Sequence, residues 1–177
     1  MREKNGALHP LSALVVMGVT SCGKSTVAKA IAELAGGVHI EGDLFHSPQN
    51  IHKMRAGLAL DDADRAAWLQ KLGELLQGAV QAGQRPVLSC SALKRKYRDQ
   101  LRTAVPELGF VFLQIDAAEV TRRAARRKGH FMSPSLIASQ FATLEVPDRE
   151  PGVLMVDATL PVDEISRRAV SWWHSGG

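Results

Sequence analysis

Five short apolar runs, each followed by residues at helical spacing, confine this chain to a small set of folds. The runs are LSALVVMG (11–18), VHIEGD (38–43), RPVLSC (85–90), FVFLQID (110–116) and VLMVDA (153–158). Such short continuous runs suit strands buried on both faces. Val27, Ala30, Ile31 and Leu34 follow the first run at helical spacing and stop at Gly36-Gly37. From Asp62, read as an N-cap, the residues Leu69, Leu72, Leu75, Leu76, Ala79 and Val80 form one helix face. Further helices are predicted at 92–105, 117–127, 133–145 (Ser133 as cap, Pro134 in the first turn) and 161–173. Strands alternating with helices imply right-handed crossovers and a parallel sheet covered on both faces. The expectation is a single α/β domain over residues 11–177 with a five-stranded parallel sheet, preceded by a loose tail at 1–10. Residues 44–61 show no clear period and carry the turn residues Ser47, Pro48, Asn50 and Gly57, so they read as an irregular insert, extending to about 65.

The 177 residues carry a formal charge of +4, which favours anionic partners, small molecules and nucleic acid alike. Two cysteines, Cys22 and Cys90, make no disulfide framework and suit a reducing compartment. The apolar stretch Leu11–Val19 is too short to span a bilayer. These features predict a cytoplasmic chain without a membrane partner.

Between the first run and its helix lies GVTSCGKS, a glycine, four residues, then Gly-Lys-Ser. In such a loop the backbone N–H groups and the helix N-terminus converge on phosphate oxygens. The pattern assigns Gly18, Val19, Thr20, Ser21, Cys22, Gly23, Lys24, Ser25 and Thr26 to a nucleoside triphosphate. Lys24 would reach the β- and γ-phosphates and the Ser25 hydroxyl would ligate Mg²⁺. Cys22 is either a small residue the loop tolerates or, if exposed, an activated thiol.

The loop does not name the acceptor. EGDLFH ends the second run, where carboxyl ends of strands line the ligand crevice, and Asp43 there can take a proton from a hydroxyl or help hold the metal. His46 could bind a substrate oxygen or be solvated. Lys53, Arg55 and Arg65 sit in a polar segment suited to an anionic acceptor and equally to an ordinary surface connection. Ser91, Lys94 and Arg98 follow the third run, either facing the acceptor's negative group or forming a solvated basic helix. In RRAARRKGH, Arg123 and Arg127 lie one helical turn apart, with Gly129 as a hinge and His130 beyond it. The run reads as a lid, about 123–134, whose arginines stabilise a phosphoryl group in transfer. A nucleic-acid patch would want wider basic coverage and more aromatics than Phe131 alone.

Taken together, GVTSCGKST, EGDLFH, NIHKMRAGLALDDADRAAWL, CSALKRKYRDQLR, RKGHF and SQFATLEVP resemble the gluconate kinases, in the same order, across about residues 14–157. The resemblance implies a P-loop kinase of the nucleoside monophosphate kinase-like fold, phosphorylating D-gluconate from ATP with Mg²⁺. It implies catalytic roles for Lys24, Asp43, Arg123 and Arg127, metal contacts at Ser25 and Asp43, adenine near Asp157–Leu160, and a homodimer without nucleic acid. His46, Lys53, Arg55, Ser91, Lys94, Arg98 and His130 join Asp43 as candidates to hold the acceptor. The chain departs from the family at Ser21, commonly glycine, at Cys22, commonly serine, and at Ala67, usually proline. If the loop requires positive φ at Ser21, the serine costs about 1 kcal/mol or more.

Overall fold

In the computed structural model, which describes residues 10–129 and 132–177, five parallel strands form one sheet. They are β1 (Ala13–Met17), β2 (Val38–Glu41), β3 (Pro86–Ser89), β4 (Leu108–Gln114) and β5 (Val153–Asp157), in the order β2-β3-β1-β4-β5. All five fall on the apolar runs of the sequence. Seven helices join or follow them among the described residues: α1 (Lys24–Ala35), α2 (Pro48–Arg55), α3 (Asp62–Gln81), α4 (Arg95–Ala104), α5 (Ala117–Arg126), α6 (Pro134–Thr143) and α7 (Val162–His174).

The central strand shows why its sequence does not alternate. Leu14 and Val16 join the core beneath α1 and α7, with Ile31, Ile165 and Trp173. Ala13, Val15 and Met17 face the opposite core with Leu72, Leu76 and Leu101 of α3 and α4. Both faces are therefore buried, and each position must be apolar. The strand order runs outward in both directions from β1, which puts the ligand crevice at the carboxyl end of that strand. No helix among the described residues is long and apolar enough to cross a membrane.

Two readings of the insert need correction. Residues 44–61 are not irregular throughout: a 3₁₀ helix occupies Gly42–Phe45 and α2 follows. The short α2 buries only Asn50, so it has no apolar stripe to detect. Its usable signal is local, since the Ser47 hydroxyl accepts from the Asn50 N–H and Pro48 occupies the first turn. The N-cap of α3 is Asp61 rather than Asp62. Asp61 and Asp64 exchange side-chain-to-backbone bonds in a capping box, 2.7 and 3.0 Å long. Asp62 instead accepts from Lys94 at 3.0 Å and from Lys96 and Tyr97, tying α3 to α4. Those bonds hold its carboxyl far below the ordinary range.

Candidate active site

The loop after β1 closes around its own backbone. Gly18 has φ +147°, and a Cβ there would stand 2.8 Å from Cys22 Sγ and 3.1 Å from the Leu113 carbonyl oxygen. Gly23, the N-cap of α1, has φ +98°. Between them Ser21 adopts φ +60°, so a serine occupies the left-handed conformation that glycine would take without strain. The Thr20 N–H donates to Gln140 Oε1 of α6 at 3.2 Å, bracing the loop from outside. Lys24 Nζ turns back onto the Val19 carbonyl at 2.9 Å. Val19 and Cys22 are buried behind the loop, with the Cys22 thiol 4.0 Å from Lys24 Nζ. The activated-thiol reading required an exposed sulfur, and this one is covered.

In front of the loop lies a cleft of about 250 Å³ lined by Thr20, Ser21, Gly23, Lys24, Ser25, Thr26, Asp43, Arg123 and Arg127. Residues widely separated in sequence thus meet where the strand ends converge. Asp43 follows β2 and its side chain is 76% exposed. Its N–H reaches Glu41 Oε1 at 3.5 Å, and that carboxylate also accepts from Ser89 Oγ at 2.9 Å. The two arginines differ. Arg123 donates to Glu119 at 2.8 Å, to the Cys22 carbonyl at 3.3 Å and to the Ala158 carbonyl at 2.9 Å. Arg127, the C-cap of α5, is exposed.

The acceptor-side candidates separate by burial and partner. His46 is buried and stacks on Trp68, ring centroids 4.0 Å apart, with Nε2 3.9 Å from Asp43 Oδ1. Burial lowers its pKa and Arg65 adds to that, against the opposing pull of Asp43, so the ring is neutral at pH 7. Lys53 is paired with Asp64 at 2.8 Å, and Arg55 is exposed. The half-buried Ser91 offers its carbonyl to the Gly18 N–H at 3.3 Å. Lys94 is the N-cap of α4, just before the first turn, and bonds Asp62. His130 lies outside the described residues. Arg98 does not face the cleft's contents at all: it is 0% exposed and its donors reach Glu150 and the carbonyls of Ala92, Leu93 and Glu145. Its expected contact with an acceptor is corrected to an internal anchor for the β3–α4 loop, where Ala92 is held at φ +45°. Cys90, at the end of β3, is pushed up to about 12 by burial and is inert as a thiolate.

Among the described residues no group of three or more His, Cys, Asp or Glu side chains could cage a metal. Mg²⁺ in phosphate sites is commonly held by one or two protein oxygens together with the phosphates themselves. The Ser25 hydroxyl and the Asp43 carboxylate, both lining the cleft, are the oxygens that would hold it.

A phosphate-loop motif after the central strand, a carboxylate just past β2 and arginines at the end of α5 meet in one cleft, the arrangement of a P-loop kinase. A family model described as an AAA domain matches residues 14–147. The gluconokinase of Gluconobacter oxydans is 48% identical over 143 residues, covering 81% of this chain and 80% of that protein. The thermoresistant gluconokinase of Escherichia coli is 37% identical over 158 residues, covering 89% and 90%. The crystal structure of a gluconokinase from Sinorhizobium meliloti superposes with a TM-score of 0.85 at 44% identity, covering 94% of both chains. The chain belongs to the gluconokinase family.

Proposed function

We propose that this protein transfers the γ-phosphoryl group of ATP to the primary hydroxyl of D-gluconate, giving 6-phospho-D-gluconate. The observation that carries the reading is one cleft lined jointly by Lys24, Ser25, Asp43 and Arg127. Lys24 leaves the Val19 carbonyl for the β- and γ-phosphates, exchanging a neutral acceptor for an anionic one. Asp43, exposed to the cleft, orients the hydroxyl and takes its proton. Arg127 neutralises charge on the phosphoryl group in transfer. Arg123, whose guanidinium already spans three oxygens, holds the loop and the adenine side in register. Mg²⁺, when bound at Ser25 and Asp43, neutralises phosphate charge. The catalysis is positioning and electrostatics, with no covalent enzyme intermediate. The homodimer implied by the resemblance belongs to the same proposal and is tested by sedimentation velocity.

A coupled ADP assay over D-gluconate, other aldonates and shikimate tests the acceptor. D-Gluconate should give by far the highest kcat/KM, and Lys24→Ala should lower it by about 100-fold or more, in the range seen for losing one transition-state donor. The variant's melting temperature should stay close to that of the wild type. A higher kcat/KM for shikimate or another aldonate would replace gluconate as the substrate. ADP release that ignores every acceptor, with steeply salt-dependent binding to DNA or RNA, would overturn the kinase reading.

A further inference from the structure

One cation near the cleft is unaccounted for by the catalytic groups. Arg65, in the first turns of α3, is only 6% exposed. Among the described residues it forms no salt bridge, and its single side-chain hydrogen bond runs from Nε to the Leu60 carbonyl at 3.4 Å. Its two Nη groups have no protein partner there, yet neither is sealed from solvent, because no fully buried side-chain nitrogen is left unsatisfied. The guanidinium carbon lies 5.5 Å from the centroid of the Tyr97 ring, within cation–π range. The neighbouring lysines already have carboxylate partners: Lys94 and Lys96 share Asp62, and Lys53 bonds Asp64. Arg65 is the buried charge left over.

Its position relative to the chemistry follows from what surrounds it. Arg65 lies one helical turn before Trp68 on the buried side of α3, and the Trp68 ring stacks on His46, whose Nε2 is 3.9 Å from Asp43 Oδ1. Arg65 therefore approaches the crevice from the α3 side, while Asp43 and Lys24 approach it from the ends of β2 and β1. A buried, unpaired guanidinium is costly unless an anion completes it, and its planar fork matches a carboxylate bidentately.

We propose that Arg65 is the specificity-determining residue of the acceptor site, taking the substrate's carboxylate while Asp43 takes the hydroxyl at the other end of the chain. This rests on the acid-acceptor kinase reading above. It predicts a preference for a sugar acid over a neutral polyol of the same length. The polyol would leave the buried cation without its anion and would lose both donors of the fork.

The test compares D-gluconate with D-glucitol, in which a hydroxymethyl group replaces the carboxylate, using wild type, Arg65→Met and Arg65→Lys in the coupled ADP assay. The wild type should strongly prefer gluconate. Arg65→Met should raise KM for gluconate by about 10- to 100-fold, the loss expected for hydrogen bonds to a charged group, and leave kcat/KM for glucitol and KM for ATP within about twofold. Arg65→Lys keeps a cation but not the fork, and should fall between the two. Should Arg65→Met fail to fold, the lysine variant decides by the same KM ratio. The proposal is overturned if either folded variant keeps the wild-type KM for gluconate, loses gluconate and glucitol equally, or loses ATP instead. A wild type active on a different acid but not on gluconate would sink the gluconate assignment alone, and the comparison would pass to that acid and its neutral counterpart. A wild type equally active on acid and polyol would sink Arg65 alone, and one active on no acid would sink both.

Discussion

Replacing Arg98 with methionine should unfold the protein before it alters substrate recognition. The guanidinium is fully buried and all five of its N–H groups are used. Nη1 donates to the Ala92 carbonyl at 2.8 Å and the Leu93 carbonyl at 3.1 Å. Nη2 donates to the Glu145 carbonyl at 3.0 Å and to Glu150, which Nε also reaches at 3.0 Å. Methionine would take a donor from three carbonyls, of which, among the described residues, only that of Leu93 keeps another, the Glu145 N–H at 2.8 Å, and would leave the Glu150 carboxylate, 5% exposed, with Arg102 as its main cation. Breaking a buried pair in this way costs about 3–5 kcal/mol. At about 2–4 °C per kcal/mol for a chain of this size, the melting temperature should fall by about 6–20 °C. Circular dichroism melts read this directly, and the acid side gives a second signature. Burial pushes Glu150 up, but hydrogen bonds and charge from Arg98 and Arg102 win, so its folded pKa lies below the ordinary 4.5. A depressed carboxylate contributes stability above its unfolded pKa and loses it as pH falls through the folded value. The wild type should therefore lose stability below about pH 4.5, and the variant, lacking Arg98, should show a flatter acid limb. A melting temperature within about 2 °C of wild type, with a tenfold or larger rise in KM for the acceptor, would refute the structural role and restore Arg98 to the acceptor site.

Three further outcomes follow from the loop. Gln140→Ala removes the partner of the Thr20 N–H, and should raise KM for ATP by about 2- to 10-fold while leaving KM for gluconate unchanged in steady-state kinetics. Ser21→Gly relieves about 1 kcal/mol of left-handed strain but gains unfolded-state entropy, so urea denaturation should shift by less than about 1 kcal/mol, whereas Ser21→Val should raise KM for ATP sharply. Cys22, covered by the loop, should react with iodoacetamide more slowly than a free thiol in water when labelling is followed by mass spectrometry.

The strands were legible because each is buried on two faces, which leaves an unbroken apolar run in the sequence. The phosphate loop was legible because its chemistry is local: a glycine, four residues and Gly-Lys-Ser carry their own geometry. The acceptor side was harder to read for the opposite reason. The α2 helix buries one asparagine, so its sequence has no period. Arg98 and Arg65 look alike in sequence, each an arginine among polar neighbours. What separates them is whether acidic and carbonyl oxygens from distant segments converge on them. Glu150, some fifty residues on, satisfies Arg98, and nothing comparable among the described residues reaches Arg65. That distinction exists only in three dimensions.

The three-way grip of Arg123 bears on how the parts around the cleft are coupled. By bonding the Cys22 carbonyl, Glu119 and the Ala158 carbonyl at once, it joins the phosphate loop, the start of α5 and the turn after β5. A perturbation of any one of these three segments is therefore felt at the other two through a single guanidinium. Arg127, four positions on, is the exposed C-cap of the same helix and lines the same cleft. Two arginines at one helix end thus divide into a tie between distant segments and a charge set at the cleft's open edge.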